Sequence, residues 1–305
     1  MSRLHIHHRT IYRYTAPVKF GMHRIVLRPR EGHRTRVIAH TLSITPPANL
    51  TWMTDVHGNH VAYAELPEPA DQLTILNETI LDQLDEGIDS MPPPHPSEVT
   101  LPLTFLQTEH RLALAYSHAV WEDEVAAIAA WVGALPEASV PRTALQTAQW
   151  LNQSVHDKLS YRRREEPGVQ SPAATLRLGS GSCRDLATLA MEAARSLGLP
   201  ARFVSGYLDS TVSAAGRGST HAWMEIYFPD GGWRGFDPTT GRGTGPRHIA
   251  TGVSSHPRGV MPISGSFDAH TGSSLGMKVE LTIRHESSHA TPDRGLPRSS
   301  PPARN

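Results

Sequence analysis

Apolar and polar side chains alternate over short segments in the first third of the chain. The segment 4–15 is rich in β-branched and aromatic residues and ends before Pro17. Similar segments follow at 23–27, 37–44, 51–54, 61–66 and 73–81, and the turn between 51–54 and 61–66 contains Gly58 and Asn59. Alternation with a period of two and regular turn signals predict β-strands. Residues 1–85 are therefore expected to form a β-rich N-terminal domain.

A different pattern begins after residue 85. The segment 86–104 is a predicted linker, because its Met-Pro-Pro-Pro-His-Pro run favours extended chain. Apolar residues then recur with helical spacing over 121–132 and 144–159, the second following Pro141. A third helix is predicted over 183–197, where Gly198 and Pro200 provide the stop. We interpret the apolar stripe of 144–159 as core packing.

The remaining elements predict a mixed α+β domain over 105–285. The segment 201–208 is a strand candidate, 220–228 and 233–237 flank a Pro-Asp-Gly-Gly turn as a β-hairpin would, and 277–283 is one more strand. The tail 286–305 has the composition of a disordered segment. The expected fold class is thus α+β, with a β-rich domain followed by a mixed domain.

Charge and composition exclude several kinds of partner. Lys and Arg total 29 and Asp and Glu total 29, so no net charge recruits nucleic acid or a membrane surface. No apolar run approaches the roughly 20 residues of a membrane span, and the amino terminus has no signal-peptide core. The single cysteine cannot form an internal disulfide. These features predict a cytoplasmic protein, and they leave its oligomeric state open.

The single cysteine is the first candidate for chemistry. Cys183 follows Gly181 and Ser182 at the predicted start of a helix. Unpaired backbone N–H groups and the helix dipole favour a thiolate there, and the same groups could stabilise an oxyanion. The alternative is that Cys183 is simply a small buried residue.

Two further candidates lie on the predicted hairpin. His221 begins one strand, and Asp237 ends its partner, so the turn brings them together. Ala222 and the residues in register with it would face the core, whereas His221 and Trp223 would face a cleft. The alternatives are a half-exposed strand histidine and an ordinary Asp-Pro turn. With Cys183, the three supply a nucleophile, a base and an orienting acid.

Four segments together resemble the bacterial transglutaminase-like proteins. They are Gly-Ser-Cys-Arg-Asp at 181–185, Ser-Leu-Gly-Leu-Pro-Ala-Arg-Phe-Val-Ser-Gly-Tyr at 196–207, His-Ala-Trp-Met-Glu at 221–225 and Gly-Trp-Arg-Gly-Phe-Asp-Pro-Thr at 232–239. Residues 1–85 are similar to the β-rich region that often precedes this core. The resemblance implies a papain-like core with a central helix packed on an antiparallel sheet, and it assigns the nucleophile, base and orienting carboxylate to Cys183, His221 and Asp237.

One departure from the family concerns the residues after the nucleophile. Animal transglutaminases have tryptophan there, whereas this chain has Arg184 and then Asp185. The charge of Asp185 would oppose a thiolate unless Arg184 or the arginine run 162–164 offsets it, although we interpret that run as solvated surface. Acyl transfer to water and to an amine both stay open. The expected substrate is a protein or peptide amide, attacked to give an acyl-thioester.

Two readings from other classes compete with this one. The chain has 18 histidines, and His5, His7 and His8, or His57 with His60, could chelate a metal ion. Neither spacing matches a strong metal motif, so we predict no metal and no cofactor. The other reading is a catalytically silent interaction scaffold with the same fold. The presence of Cys183, His221 and Asp237 speaks against it.

Overall fold

The computed structural model describes residues 2–84, 99–164, 166, 168–209 and 219–286. Most of the predicted linker 86–104 and of the predicted disordered tail 286–305 lies outside these residues.

The amino-terminal part is built from strands, as its alternating pattern predicts. Its six strands are β1 Ser2–Val18, β2 His23–Ile25, β3 Thr35–Thr45, β4 Asn49–Thr54, β5 His60–Glu65 and β6 Ala70–Gln83. Along β1, Leu4 and Ile6 are buried, whereas Arg3 and His7 are exposed. One face of the strands therefore forms a core, and the other meets solvent.

The mixed part contains five helices and a second set of strands. The helices are α1 Gln107–Ser117, α2 Val125–Gly133, α3 Ala144–Lys158, α4 Pro172–Leu178 and α5 Cys183–Ser196. The remaining strands are β7 Ser160–Tyr161, β8 Ser180–Gly181, β9 Ala201–Leu208, β10 Ser219–Phe228, β11 Gly232–Asp237, β12 Arg242–Gly243, β13 His248–Ser254, β14 Ile263–Ser264 and β15 Ser274–His285.

The sheet of the mixed part is antiparallel and has the order β12-β11-β10-β9-β13. Helix α5 packs against its strand β10, and nearly every α5 residue from Asp185 to Arg195 is buried. The buried residues Ala222, Met224 and Ile226 share a core with Leu186 and Ala190. The expected central helix on an antiparallel sheet is therefore confirmed.

Several helix boundaries follow from local capping. Helix α3 starts after Thr143, whose side chain and that of Gln146 form a reciprocal capping box, two residues beyond the predicted Pro141. Helix α5 ends before Gly198, which has a φ of 78°. The sequence pattern did not predict α1 or α4. On α1 only Ala113 and Tyr116 are buried, so its apolar periodicity is weak.

The carboxyl-terminal strands return to the amino-terminal sheets. The two sheets there have the orders β15-β1-β6-β3 and β14-β2-β5-β4. Strand β15 pairs with β1 from Leu4↔His285 to Tyr14↔Ser274. The strand predicted over 277–283 was expected to belong to the mixed domain 105–285, whereas its backbone pairs with β1. The reason is a backbone pairing between distant segments, which strand periodicity does not reveal.

Buried polar groups join the two parts of the chain. Asn59 follows the β4–β5 turn, and its amide donates to the Val253 carbonyl at 2.8 Å and accepts from the Val253 N–H at 2.9 Å. On the other side, His8 lies 3.1 Å from the Tyr207 hydroxyl. Both strands that carry these partners, β9 and β13, belong to the sheet of the mixed part, so the two parts form one packed structure.

Candidate active site

Cys183 is the first residue of α5 and is half-buried. The segment before it is held by the short parallel pair of β7 and β8, in which Tyr161 is aligned with Gly181. A Cβ at Gly181 would lie 2.7 Å from the Cβ of Asp185. Only glycine therefore allows the chain to approach the helix so closely, and this approach presents Cys183 at the end of α5.

Asp185, in the first turn of α5, stabilises the start of this helix. It is fully buried, and its carboxylate accepts hydrogen bonds from the Ser182 N–H at 2.9 Å and the Ser182 hydroxyl at 2.7 Å. The Gln170 N–H donates to it at 2.8 Å and the Arg164 Nε at 2.9 Å. Burial alone would raise the pKa of Asp185, but these hydrogen bonds outweigh it and hold the pKa below its usual value.

The arginines near Cys183 divide into two kinds. Arg164 is not solvated surface, because its side chain is only 17% exposed and pairs with Asp185. Arg162 and Arg163 are exposed, as the sequence analysis expected of the whole run. Arg184 donates to the Glu166 carbonyl rather than to Asp185. The negative charge beside Cys183 is therefore offset by Arg164 alone among these four arginines.

The β10–β11 hairpin brings His221 and Asp237 together. Its register pairs Met224 with Phe236, and the His221 Nε2 lies 2.9 Å from the Asp237 Oδ2. Asp237 is fully buried and His221 is 7% exposed. The other carboxylate oxygen, Oδ1, accepts from the Thr239 N–H at 2.9 Å. Both oxygens of the carboxylate thus have donors.

The Cys183 thiol is the other partner of His221. Burial alone would lower the pKa of His221, but hydrogen bonds and charge interactions with Asp237 and Cys183 outweigh it and raise the pKa to about 10. The pKa of Asp237 is held low, because donation by the two imidazoles beside it outweighs the effect of burial. Because the Nε2 of His221 is hydrogen-bonded to Asp237, the Nδ1 is the ring nitrogen that is available to Cys183.

Trp223 does not line an open cleft. It is 2% exposed and packs with Val204 and Val253. Its ring lies against Gly206, where an added Cβ would come within 2.8 Å of it. Trp223 lies on the same face of β10 as His221, but side chains of the neighbouring strands β9 and β13 surround it there. Its contribution to the site is packing beneath the histidine.

A second histidine, missed from the sequence, contacts the same carboxylate. The His248 Nε2 lies 3.3 Å from the Asp237 Oδ2, and its ring packs edge-on against Trp223 with centroids 5.2 Å apart. No local signal identified His248, because it is one of 18 histidines and follows a glycine-rich segment without periodicity. The β9–β13 pairing, which brings it to the site, is between strands about 40 residues apart in the chain.

His7 and His8, two histidines of the metal-binding hypothesis, lie on opposite faces of β1. His8 is buried beside Tyr207, whereas His7 on the opposite face of β1 is exposed. Among the described residues, the trio His221, Asp237 and His248 has ligand atoms within 4.8 Å of one another. The His221 Nε2 and the His248 Nε2 lie 2.9 and 3.3 Å from the Asp237 Oδ2, and both contacts are direct hydrogen bonds.

Among the helices that the structure describes, none has the length and apolar character needed to cross a bilayer.

Comparisons with known proteins agree with this architecture. Residues 4–81 match the bacterial transglutaminase-like N-terminal region, and residues 136–238 match the transglutaminase-like superfamily. The crystal structure of a proposed cysteine protease from Cytophaga hutchinsonii superposes with a TM-score of 0.72 at 16% identity, covering 95% of this chain and 93% of that one. That likeness shows the fold.

Two mycobacterial proteins are similar along nearly the whole chain. An uncharacterised protein of Mycobacterium tuberculosis is 30% identical over 285 residues, which cover 86% of this chain and 87% of that protein. An uncharacterised protein of Mycobacterium leprae is 26% identical over 288 residues, covering 92% and 99%. The β-rich region and the core that the sequence analysis identified are therefore confirmed in their order. The chain belongs to the transglutaminase-like superfamily.

Proposed function

We propose that the protein is a cysteine-nucleophile enzyme that acts on amide bonds of a protein or peptide through an acyl-thioester. The observation that carries the proposal is the placement of His221 between the Cys183 thiol and the buried carboxylate of Asp237. In this arrangement a nucleophile, a base and a group that orients the base lie in contact, which is what acyl transfer by a thiol requires.

The order of contacts defines the proton transfers. Asp237 accepts from the His221 Nε2–H, so the neutral ring has its lone pair on Nδ1, beside the thiol. Nδ1 takes the thiol proton, and Sγ attacks the amide carbon to form a C–S bond. The raised pKa of His221 and the lowered pKa of Asp237 both favour the resulting ion pair of thiolate and imidazolium. Backbone N–H groups of the first turn of α5 supply donors for the oxyanion.

Collapse of the tetrahedral intermediate breaks the C–N bond. The proton on Nδ1 of His221 goes to the leaving amine, and the acyl group stays on Cys183. A water molecule then gives its proton to Nδ1 and attacks the thioester, which breaks the C–S bond and releases a carboxylic acid. An amine in place of water would give a transamidase. We favour hydrolysis, because Tyr161 beside the thiol is 55% exposed, so water reaches the acyl group.

The test compares wild type with Cys183→Ser. Both proteins are incubated with a peptide library, and new amino termini and released ammonia are measured by mass spectrometry and enzymatic assay. New termini from wild type only, together with an acyl adduct on Cys183, support hydrolysis of peptide bonds. Ammonia without new termini would indicate action on glutamine side chains, and added primary amine then tests for transamidation.

The second candidate is a silent scaffold with the same fold. Wild type that neither cleaves nor forms an adduct, with Cys183 no more reactive than a model thiol, would favour the scaffold. The cytoplasmic location inferred from the lone cysteine remains a prediction, and fractionation of the cells tests it.

A further inference from the structure

The carboxylate of Asp237 is shared between two imidazole rings. Its Oδ2 lies 2.9 Å from the His221 Nε2 and 3.3 Å from the His248 Nε2. The second ring comes from β13, an edge strand that β10 and β9 separate from β11 and its Asp237. The side chain of His248 is only 11% exposed, so this contact is made inside the protein.

The backbone determines which nitrogen of His248 carries the proton. The Gly245 N–H donates to the His248 Nδ1 at 3.2 Å, so this nitrogen has the lone pair. The neutral ring therefore has its proton on Nε2 and donates it to Asp237. His248 is thus a second donor to the carboxylate oxygen that also contacts His221.

The surroundings prevent His248 from taking another position. Its ring packs edge-on against the buried Trp223 at 5.2 Å and lies 6.0 Å from the ring of His221. Backbone pairing of His248 with Leu208 fixes its place on β13. The described titratable groups that directly contact the His248 ring are Asp237 and His221, and Cys183 lies beyond His221. The ring therefore has one strong polar partner, the Asp237 carboxylate.

We propose that His248 is a positioning residue that holds the Asp237 carboxylate so that Oδ2 faces the Nε2 of His221. This inference rests on the proposed function, since it assigns to His248 the task of steering the orienting acid. Without the His248 donor, Asp237 would keep the Thr239 N–H on Oδ1 but could rotate Oδ2 away from His221. The imidazolium would then be less stabilised, and less thiolate would exist at acidic pH.

Two substitutions of His248 by amide residues, glutamine and asparagine, test this role. The amide nitrogen of glutamine reaches the position of imidazole Nε2, so His248→Gln keeps a donor to Asp237. Asparagine reaches only the position of Nδ1, so His248→Asn keeps the contact with Gly245 and loses the contact with Asp237. Because Cys183 is the only cysteine, the rate of iodoacetamide alkylation between pH 5 and 9 reports on this thiol alone. The folded state of each variant is checked by circular dichroism.

We expect His248→Gln to follow the wild-type profile within about 1.5-fold and His248→Asn to be about threefold slower at pH 6, with rates converging at pH 9 because any thiol ionises there. If His248→Asn does not fold, His248→Ala is measured instead, with the same shift expected. If the alkylation rate of His248→Asn, or of His248→Ala in its place, equals that of wild type at every pH, the inference is overturned. Alkylation of His248→Gln that is as slow as that of His248→Asn would also overturn the inference, because His248 would then act as a base. A loss of alkylation rate at pH 9 equal to the loss at pH 6 would also overturn it, because His248 would then have a structural role only.

The wild-type profile separates this inference from the proposed function. A wild type that alkylates like a free thiol at every pH would end the proposed function and the inference together. A wild type that reacts fast at pH 6, with an unaffected His248→Asn, would end the inference alone.

Discussion

The carboxylate of Asp185 offers the sharpest test of how the chain presents Cys183. Its Oδ1 accepts from the Gln170 N–H, and its Oδ2 accepts from Ser182 and the Arg164 Nε. Asp185→Asn replaces one of the two carboxylate oxygens with an NH2 group. At either position, the hydrogens of this group face one of the donors just named. The Arg164 guanidinium, 17% exposed, loses its buried counter-charge and, among the described residues, keeps only the exposed Glu166 carboxylate at 3.4 Å. Removing one partner of a buried ion pair costs about 3–5 kcal/mol, and we expect this loss in the free energy of unfolding.

The assay is urea denaturation at pH 7, followed by circular dichroism. Asp157→Asn is the matched control, because Asp157 is exposed and accepts a hydrogen bond from Gln153 on the same helix. We expect a change of no more than about 0.5 kcal/mol in the control. Alkylation of Cys183 should also slow in Asp185→Asn, since Asp185 fixes the turn that presents the thiol. A loss below about 1 kcal/mol would refute the reasoning that the Arg164–Asp185 contact holds the start of α5.

Three further predictions concern the rest of the fold. Asn59→Ala leaves two buried backbone groups of the other part unpaired and should cost about 2–4 kcal/mol in urea denaturation, whereas the exposed Asn49→Ala should change little. Burial lowers the pKa of His8 to about 4. The contribution of the neutral ring to the free energy of unfolding is therefore complete above about pH 6.5 and is lost as the pH falls towards 4. His8→Gln should therefore lose less stability than wild type between pH 7 and 4, and an equal loss would contradict this. Gly206→Ala should lower the melting temperature, because its Cβ would lie 2.2 Å from the Ile249 carbonyl oxygen; an unchanged melting temperature would show that β13 can shift.

Local signals in the sequence predicted the parts of the site that local structure creates. The small residues before Cys183 and the stop at Gly198 indicate a helix that begins at the cysteine, and the structure has it at Cys183–Ser196. Alternation along 220–228, a glycine turn and a proline after Asp237 predict the hairpin that brings His221 and Asp237 to 2.9 Å. Each of these inferences needs only the geometry of one helix or one hairpin.

Contacts between distant segments could not be predicted in this way. His248 reaches Asp237 through the pairing of β13 with β9, and Arg164 contacts Asp185, which lies 21 positions further along the chain, beyond α4. The return of β15 to β1 joins the two ends of the described chain. Strand periodicity says which face is buried but not which strand is the neighbour, so the sequence left these partners open.

The alkylation rate of Cys183 in wild type and in His221→Ala, both at pH 6, tests the central claim most directly. An ordinary thiol ionises near pH 8.5, so only about 0.3% of it is thiolate at pH 6. If His221 keeps the thiol proton, wild type should react on the order of tenfold faster than His221→Ala, after allowance for the weaker nucleophilicity of a stabilised thiolate. Equal rates in the two folded proteins would contradict the account, because the imidazole beside Cys183 would then have no effect on the sulfur.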